Sequence, residues 1–160
     1  MSAEAALTGG CQCGAVRYRA AKAVQYVICH CRMCQKAFGN YFAPLVVVEG
    51  LEWTRGEPGF FRSSNMARRG FCRDCGTPLC YLGEDGSYEV SAGSLDDPSF
   101  GQPEKQINVG AKLSVYDRLP DIPHHTNLEG EAAFNASVVT YQHPDHDTAR
   151  WPLPKGGHDE

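Results

Sequence analysis

Apolar and polar residues alternate with the two-residue period of half-buried strands through most of the chain up to Leu113. In "GAVRYRA" Val16 and Tyr18 alternate with Arg17 and Arg19. "QYVICHC" opens as a further strand and ends on cysteines. "YFAPLVVVEG" and "LEWTRG" are β-branched and aromatic runs, each closed by a glycine, and predict two more strands. "LCYLG", "SYEVSAGSL" and "QINVGAKL" continue the series between Gly, Asp and Ser. One short helix stands out, from Arg32 to Phe38, with Gly39 and Asn40 as its stop signal. The expectation is a mainly β fold.

The texture changes near Asp121. Residues 121–160 hold five of the six histidines and four of the ten prolines. The expected organisation is one domain over residues 7–120 and an acidic, His/Pro-rich extension over residues 121–160. That extension should be partly docked, with the last ten or so residues mobile. Its centre, "AAFNASVVTY", reads as a further strand or as a segment laid on the body.

Charge narrows the partners. The net charge is −4, and residues 121–160 carry seven of the 19 acidic residues against two of the 15 basic ones. The body is close to neutral and lacks a basic stripe, which argues against nucleic acid as a partner. No apolar run approaches the roughly 18 residues of a membrane-spanning helix, and "MSAEAALTGG" has no basic and apolar signal-peptide regions. The expected location is the cytoplasm, a reducing compartment.

Eight cysteines in such a compartment call for a reason other than disulfides. They cluster as Cys11/Cys13, Cys29/Cys31/Cys34 and Cys72/Cys75, with Cys80 alone. Neighbours one or two residues apart chelate a metal better than they bridge each other. Zinc is the redox-inert ion suited to clustered thiolates, and it takes four ligands. Cys72 and Cys75 form a C-x-x-C knuckle closed by Gly76, and Cys11 and Cys13 supply a C-x-C pair. Together they predict a saturated structural site. Cys29, Cys31 and Cys34 are then left with a vacant fourth position, the pattern of a catalytic zinc. Two zinc ions per chain follow, the second site being open to loss of its metal. Three thiolates make a weaker Lewis acid than three histidines, so the site should activate a substrate thiol rather than water. A histidine from His124, His125, His143 or His146 would close the second site and make it structural. His30, between two ligands, should turn away from the metal, to a second shell or the surface. Cys80 reads as a small core residue.

"GGCQCGAVRY", "CHCRMCQKAFG", "RRGFCRDCGTPLCY" and "SAGSLDDP", in this order, resemble the glutathione-dependent formaldehyde-activating enzyme family, also called the family of centromere protein V. The likeness covers roughly residues 7–120. It implies packed, twisted antiparallel sheets around zinc knuckles, a β-tent-like architecture. It also places Cys11, Cys13, Cys72 and Cys75 on the family's structural zinc and Cys29, Cys31 and Cys34 on its catalytic one. The implied activity is that of a carbon–sulfur lyase or synthase acting on the adduct of a thiol such as glutathione with a small aldehyde. Two departures stand out: Gln106 beside Ile107, where the family often has histidine, and Tyr116, near a common tryptophan position.

Glutathione carries two carboxylates, and Arg32, Lys36, Arg68 and Arg69 are the basic residues near the motifs that can form a cationic rim. A non-catalytic zinc module for a protein or small ligand is the alternative reading. No general acid is identifiable from the sequence, and the oligomeric state is open.

Overall fold

The structure is a computed structural model and describes residues 6–99 and 102–152. Its strands are β1 (Leu7–Gly10), β2 (Arg17–Cys29), β3 (Ala43–Arg55), β4 (Gly59–Ser64), β5 (Ala67–Phe71), β6 (Pro78–Gly83), β7 (Tyr88–Ser91) and β8 (Lys105–Ile107). All eight belong to one sheet, ordered β1-β2-β3-β7-β6-β5-β4, with β8 added alongside β2. The pairings on the main path are antiparallel, and β8 runs parallel to β2. The α-helices among the described residues are α1 (Arg32–Phe38), α2 (Ser114–Arg118) and α3 (Leu128–Ser137). The mainly β expectation holds, with one continuous sheet in place of separate ones.

β2 and β3, each 13 residues long, form the spine. Two expected strands merge into each of them. Gly50, expected to end a strand, lies within β3 at φ 64°. Pairing continues on both sides of it, Glu49 with Lys22 and Leu51 with Ala20. A Cβ at Gly50 would lie 2.8 Å from the Ala21 methyl, so glycine lets the strand bend without breaking the ladder.

Successive residues of a strand face opposite sides of the sheet, and here the two sides carry different cores. Val46 packs in a cluster with Tyr18, Leu79, Val90, Cys11 and Cys72. Its neighbour Leu45 packs on the other side with Val27, Ala43, Cys29 and Cys34, edged by Phe38 and Ile107. The cysteine groups thus sit in separate cores, divided by the sheet. Burying each large apolar side chain contributes about 1.5–3 kcal/mol.

Three strands have no counterpart in the expected series: β1, β4 and β5. β5, "ARRGF", carries two adjacent arginines and so reads as polar, yet Arg69 is buried. "QINVGAKL" supplies only two strand residues, Gln106 and Ile107, before Asn108, at φ 54°, turns the chain into a 3-10 turn over Val109–Ala111. The reading of "AAFNASVVTY" is corrected: its first half lies in α3, capped by the Asn127 side chain on the Gly130 amide. Local helix propensity explains the difference. Glu129 and Glu131 favour the first turn, and the alanines follow, before the β-branched Val138 and Val139. α3 lies exposed, whereas residues 142–152 return to the sheet. The expected mobile end falls largely outside the described residues.

Candidate metal centres

The β1–β2 turn and the β5–β6 turn meet to form the first centre. Cys11, Cys13, Cys72 and Cys75 present sulfurs all within 4.8 Å of one another. Each turn is held by its own backbone. The Gly14 amide donates to Cys11 O and the Gly76 amide to Cys72 O, each at 3.0 Å. Gly14 and Gly76 adopt φ of 79° and 77°, which a side chain would strain. The Cys11–Cys13 and Cys13–Cys72 sulfur separations are 3.6 and 3.8 Å. Four thiolates at a zinc–sulfur distance of about 2.3 Å define a tetrahedron with edges of about 3.8 Å. The donor set therefore fits a tetrahedral metal without rearrangement. Burial pushes the Cys13 and Cys72 thiols up. Burial works in the same direction on Cys75, but the Thr77 hydroxyl and nearby amides outweigh it and bring that thiol down to about 6.

The segment 142–152 covers this centre. The His143 amide donates to Gln12 O at 2.7 Å, and the Trp151 indole donates to Cys13 O at 2.8 Å. Asp147 accepts from Arg17 Nε at 2.8 Å, while Asp96 takes the rest of that guanidinium in two bonds of 2.6 and 2.7 Å. Arg17 is buried and fully occupied by these two carboxylates.

The second centre lies on the opposite face. Cys29 ends β2, Cys31 is the N-cap of α1, and Cys34 sits in the first turn of α1. Their sulfurs also fall within 4.8 Å of one another. Cys29 and Cys34 are buried and Cys31 is partly exposed, so the open side of the trio is at Cys31. The Cys34 amide donates to Cys31 Sγ at 3.3 Å. Two groups distant in sequence complete the surroundings: Asn108 Nδ2 donates to Cys29 Sγ at 3.3 Å, and Arg69 Nη2 donates to Cys34 Sγ at 3.2 Å. The Cys34 side chain shares its hydrogen bond with Cys29, and this, against burial, brings Cys29 down to about 5. The same shared bond, with burial, pushes Cys34 up. Three thiolates around a divalent cation carry a net charge of −1, and the buried Arg69 guanidinium is placed to balance it. The donor set and its charge thus fit a metal of zinc's type.

No histidine joins this trio among the described residues. His125 faces Glu131 at the surface, and His143 lies against Gly14 by the other centre. His30 does turn from the sulfurs, but it is fully buried rather than on the surface. Its Nε2 donates to Gln106 Oε1 at 2.8 Å, and its ring meets Tyr116 edge-on at 4.8 Å. The two positions that depart from the family pattern, Gln106 and Tyr116, therefore both act on His30. Gln35, also buried, ties the His30 and Ala111 carbonyls together. Cys80 is buried outside both centres, and burial raises its thiol to about 12.

The four basic residues named from the sequence divide. Arg32 and Lys36 line a cavity of about 510 Å³ with Gln35, Asn40 and Tyr41. Arg68 is exposed and lies over the Phe60 ring, and Arg69 belongs to the interior. A separate cavity of about 260 Å³ opens on the other side of α1, bounded by Ala37, Phe38, Phe61, Phe71 and Arg69. Sequence reasoning missed Asn108 and Gln35. The positive φ of Asn108 has no sequence marker beyond the tolerance of asparagine for that conformation.

No helix among the described residues is long and apolar enough to cross a membrane. Among curated proteins, none matches the chain. The crystal structure of a Rhodobacter sphaeroides protein, a structural-genomics target, is similar at 22% identity and a TM-score of 0.49, over 62% of this chain and 98% of that one. A family model described as glutathione-dependent formaldehyde-activating enzyme matches residues 6–111, about two thirds of the chain, and spans both cysteine groups. The chain belongs to the glutathione-dependent formaldehyde-activating enzyme family.

Proposed function

We propose that the protein is a zinc-dependent carbon–sulfur lyase or synthase that makes or breaks the adduct of a glutathione-like thiol with a small aldehyde. Cys11, Cys13, Cys72 and Cys75 hold a structural zinc, and Cys29, Cys31 and Cys34 hold a catalytic one. The observation that carries the reading is the contrast between the two groups. Four sulfurs close one centre, while three sulfurs, one of them partly exposed, form the other. Zinc bound by the three cysteines supplies a positive charge that lets a substrate thiol ionise near neutral pH.

The chain's own residues do the rest. Arg69 and Asn108 donate to the Cys34 and Cys29 sulfurs and fix their orientation and charge. Arg32 and Lys36 line the larger cavity and suit the carboxylates of glutathione. In the synthetic direction the thiol sulfur bonds to the carbonyl carbon, the carbonyl π pair moves to oxygen, and that oxygen takes up a proton. The lyase direction reverses each movement. The free thiols fit a reducing, cytoplasmic compartment.

A panel of thiols and aldehydes followed by exchange NMR tests this function. Adduct formation should run faster than the spontaneous rate, and a chelator should remove the excess. Equal rates with and without protein across the panel would leave a non-catalytic zinc module as the reading.

A further inference from the structure

We infer that the 260 Å³ cavity beside the cysteine trio is the subsite for a ring-sized apolar group on the aldehyde, so that the substrate class extends to arylalkyl aldehydes. This rests on the thiol–aldehyde reading above and names its second substrate.

The geometry of α1 makes the argument. Residues three and four apart share a helix face. Cys34, Ala37 and Phe38 stand in that relation, so the two α1 residues that line the cavity share a helix face with the buried Cys34. Arg32 and Lys36, four apart, lie on the other face and line the cationic cavity. α1 therefore separates a place for carboxylates from a place for hydrocarbon, with Cys31 capping the same short helix and Cys34 within it. Two further contacts join the apolar cavity to the trio. Phe38, like Cys31, packs against the cluster that holds Cys29 and Cys34, and Arg69 lines the cavity while donating to Cys34 Sγ at 3.2 Å.

Size and lining select the ligand. A dry apolar cavity of about 150 Å³ takes benzene, so 260 Å³ holds a phenyl ring and a short linker. The Phe61 and Phe71 rings, 6.2 Å apart and tilted by 55°, offer faces and edges to an inserted ring. Phe61 is 47% exposed, which leaves the entrance open. Formaldehyde needs none of this wall. The bond changes are those of the proposed reaction: the C–S bond forms at the carbonyl carbon, the carbonyl oxygen takes a proton, and the ring stays intact.

The zinc-loaded full chain is titrated with benzyl alcohol, which carries the ring but neither thiol nor carbonyl, and followed by NMR. Saturable shifts of the Phe38, Phe61 and Phe71 ring protons are expected. Ala37→Trp, which fills the cavity, should weaken binding at least tenfold, and Phe61→Ser serves if that variant does not fold. Exchange rates with glutathione are then compared for phenylacetaldehyde and acetaldehyde, with benzyl mercaptan plus formaldehyde as a further arm. The expected result is a preference for phenylacetaldehyde that either variant reduces at least tenfold. No saturable benzyl alcohol binding overturns the subsite. Binding without preference for phenylacetaldehyde overturns the substrate assignment, and a preference seen only with benzyl mercaptan moves the ring to the thiol and overturns its placement on the aldehyde. Benzyl alcohol binding with no catalysed exchange for any pair is the failure of the thiol–aldehyde reading itself, and the substrate assignment falls with it.

Discussion

Arg69 reaches from β5 to donate a hydrogen bond to the sulfur of Cys34, 35 residues earlier, and both side chains are buried. Arg69 also donates Nε to Ser63 and lies over the Tyr81 ring, while its Nη1 has no hydrogen-bond partner among the described residues. An interior guanidinium with a donor to spare is costly unless negative charge lies nearby. A metal held by the three thiolates, as proposed, would provide that charge. Arg69→Met should weaken metal retention at the trio by about 10- to 100-fold and leave the four-cysteine centre untouched. Release of the two metals to a chromogenic chelator, resolved as fast and slow phases, checks this.

The two centres should differ in what they do for folding. Cys72→Ser removes a buried ligand from the centre that joins the β1–β2 and β5–β6 turns. A structural zinc's binding free energy is folding free energy, so this variant should lose on the order of several kcal/mol. Cys31→Ser, at the partly exposed edge of the trio, should abolish turnover with a loss of about 1 kcal/mol or less. Denaturant titration in the presence of zinc makes the comparison, and equal losses would count against the division of roles.

Docking of residues 142–152 should depend on pH through His143. Its Nδ1 donates to the Pro144 carbonyl at 2.8 Å, and its Nε2 accepts from Arg55 Nη1 at 3.2 Å, an arrangement that only the neutral ring allows. Burial, then the nearby Arg17 and Arg55 charges, hold this histidine below its ordinary value of 6.5, with the Pro144 carbonyl and Asp96 opposing. The unfolded or undocked segment therefore takes the proton first as pH falls. The contribution is complete above about 6.5 and is lost as pH drops through the folded value. The Trp151 indole proton, bonded to Cys13 O, should show NMR signs of undocking as pH falls below about 6.5. His143→Gln should remove most of that dependence.

Asp96 anchors the same region from the sheet side. Burial tends to raise its carboxyl, but hydrogen bonds from Arg17 and Thr8 outweigh that and hold it below the ordinary value of 3.8. Its stabilisation is present above that value and fades as pH falls through the folded one. Asp96→Asn should cost about 3 kcal/mol, since it leaves the buried Arg17 dependent on Asp147 alone. Urea unfolding at pH 7 and pH 3 should show the gap between variant and parent narrowing in acid.

What the sequence disclosed follows from the range of each signal. Cysteine spacing is local, and the sulfurs meet in groups of four and three because each half-site is built within one turn. The α1 boundaries were equally legible, because Gly39 closes the helix at φ 58° through its own backbone conformation. Contacts between distant segments left no such mark. Arg69 reads as a rim charge until β5 and β6 pair, and only that pairing sets it opposite Tyr81 and toward Cys34. Asn108 becomes a partner of Cys29 only because β8 joins β2 in parallel. The α3 segment misled because its Val138-Val139 pair suggested a strand, whereas the Asn127 cap and alanines decide its course.

The central claim is that one centre is closed by protein sulfur and the other keeps a position for substrate. X-ray absorption at the zinc edge on the fully loaded protein tests it most directly. With four sulfurs at one metal and three at the other, the mean should be about 3.5 sulfurs per zinc, rising to about four when glutathione is added. A mean of four before glutathione, or a mean that glutathione leaves unchanged, would contradict the account.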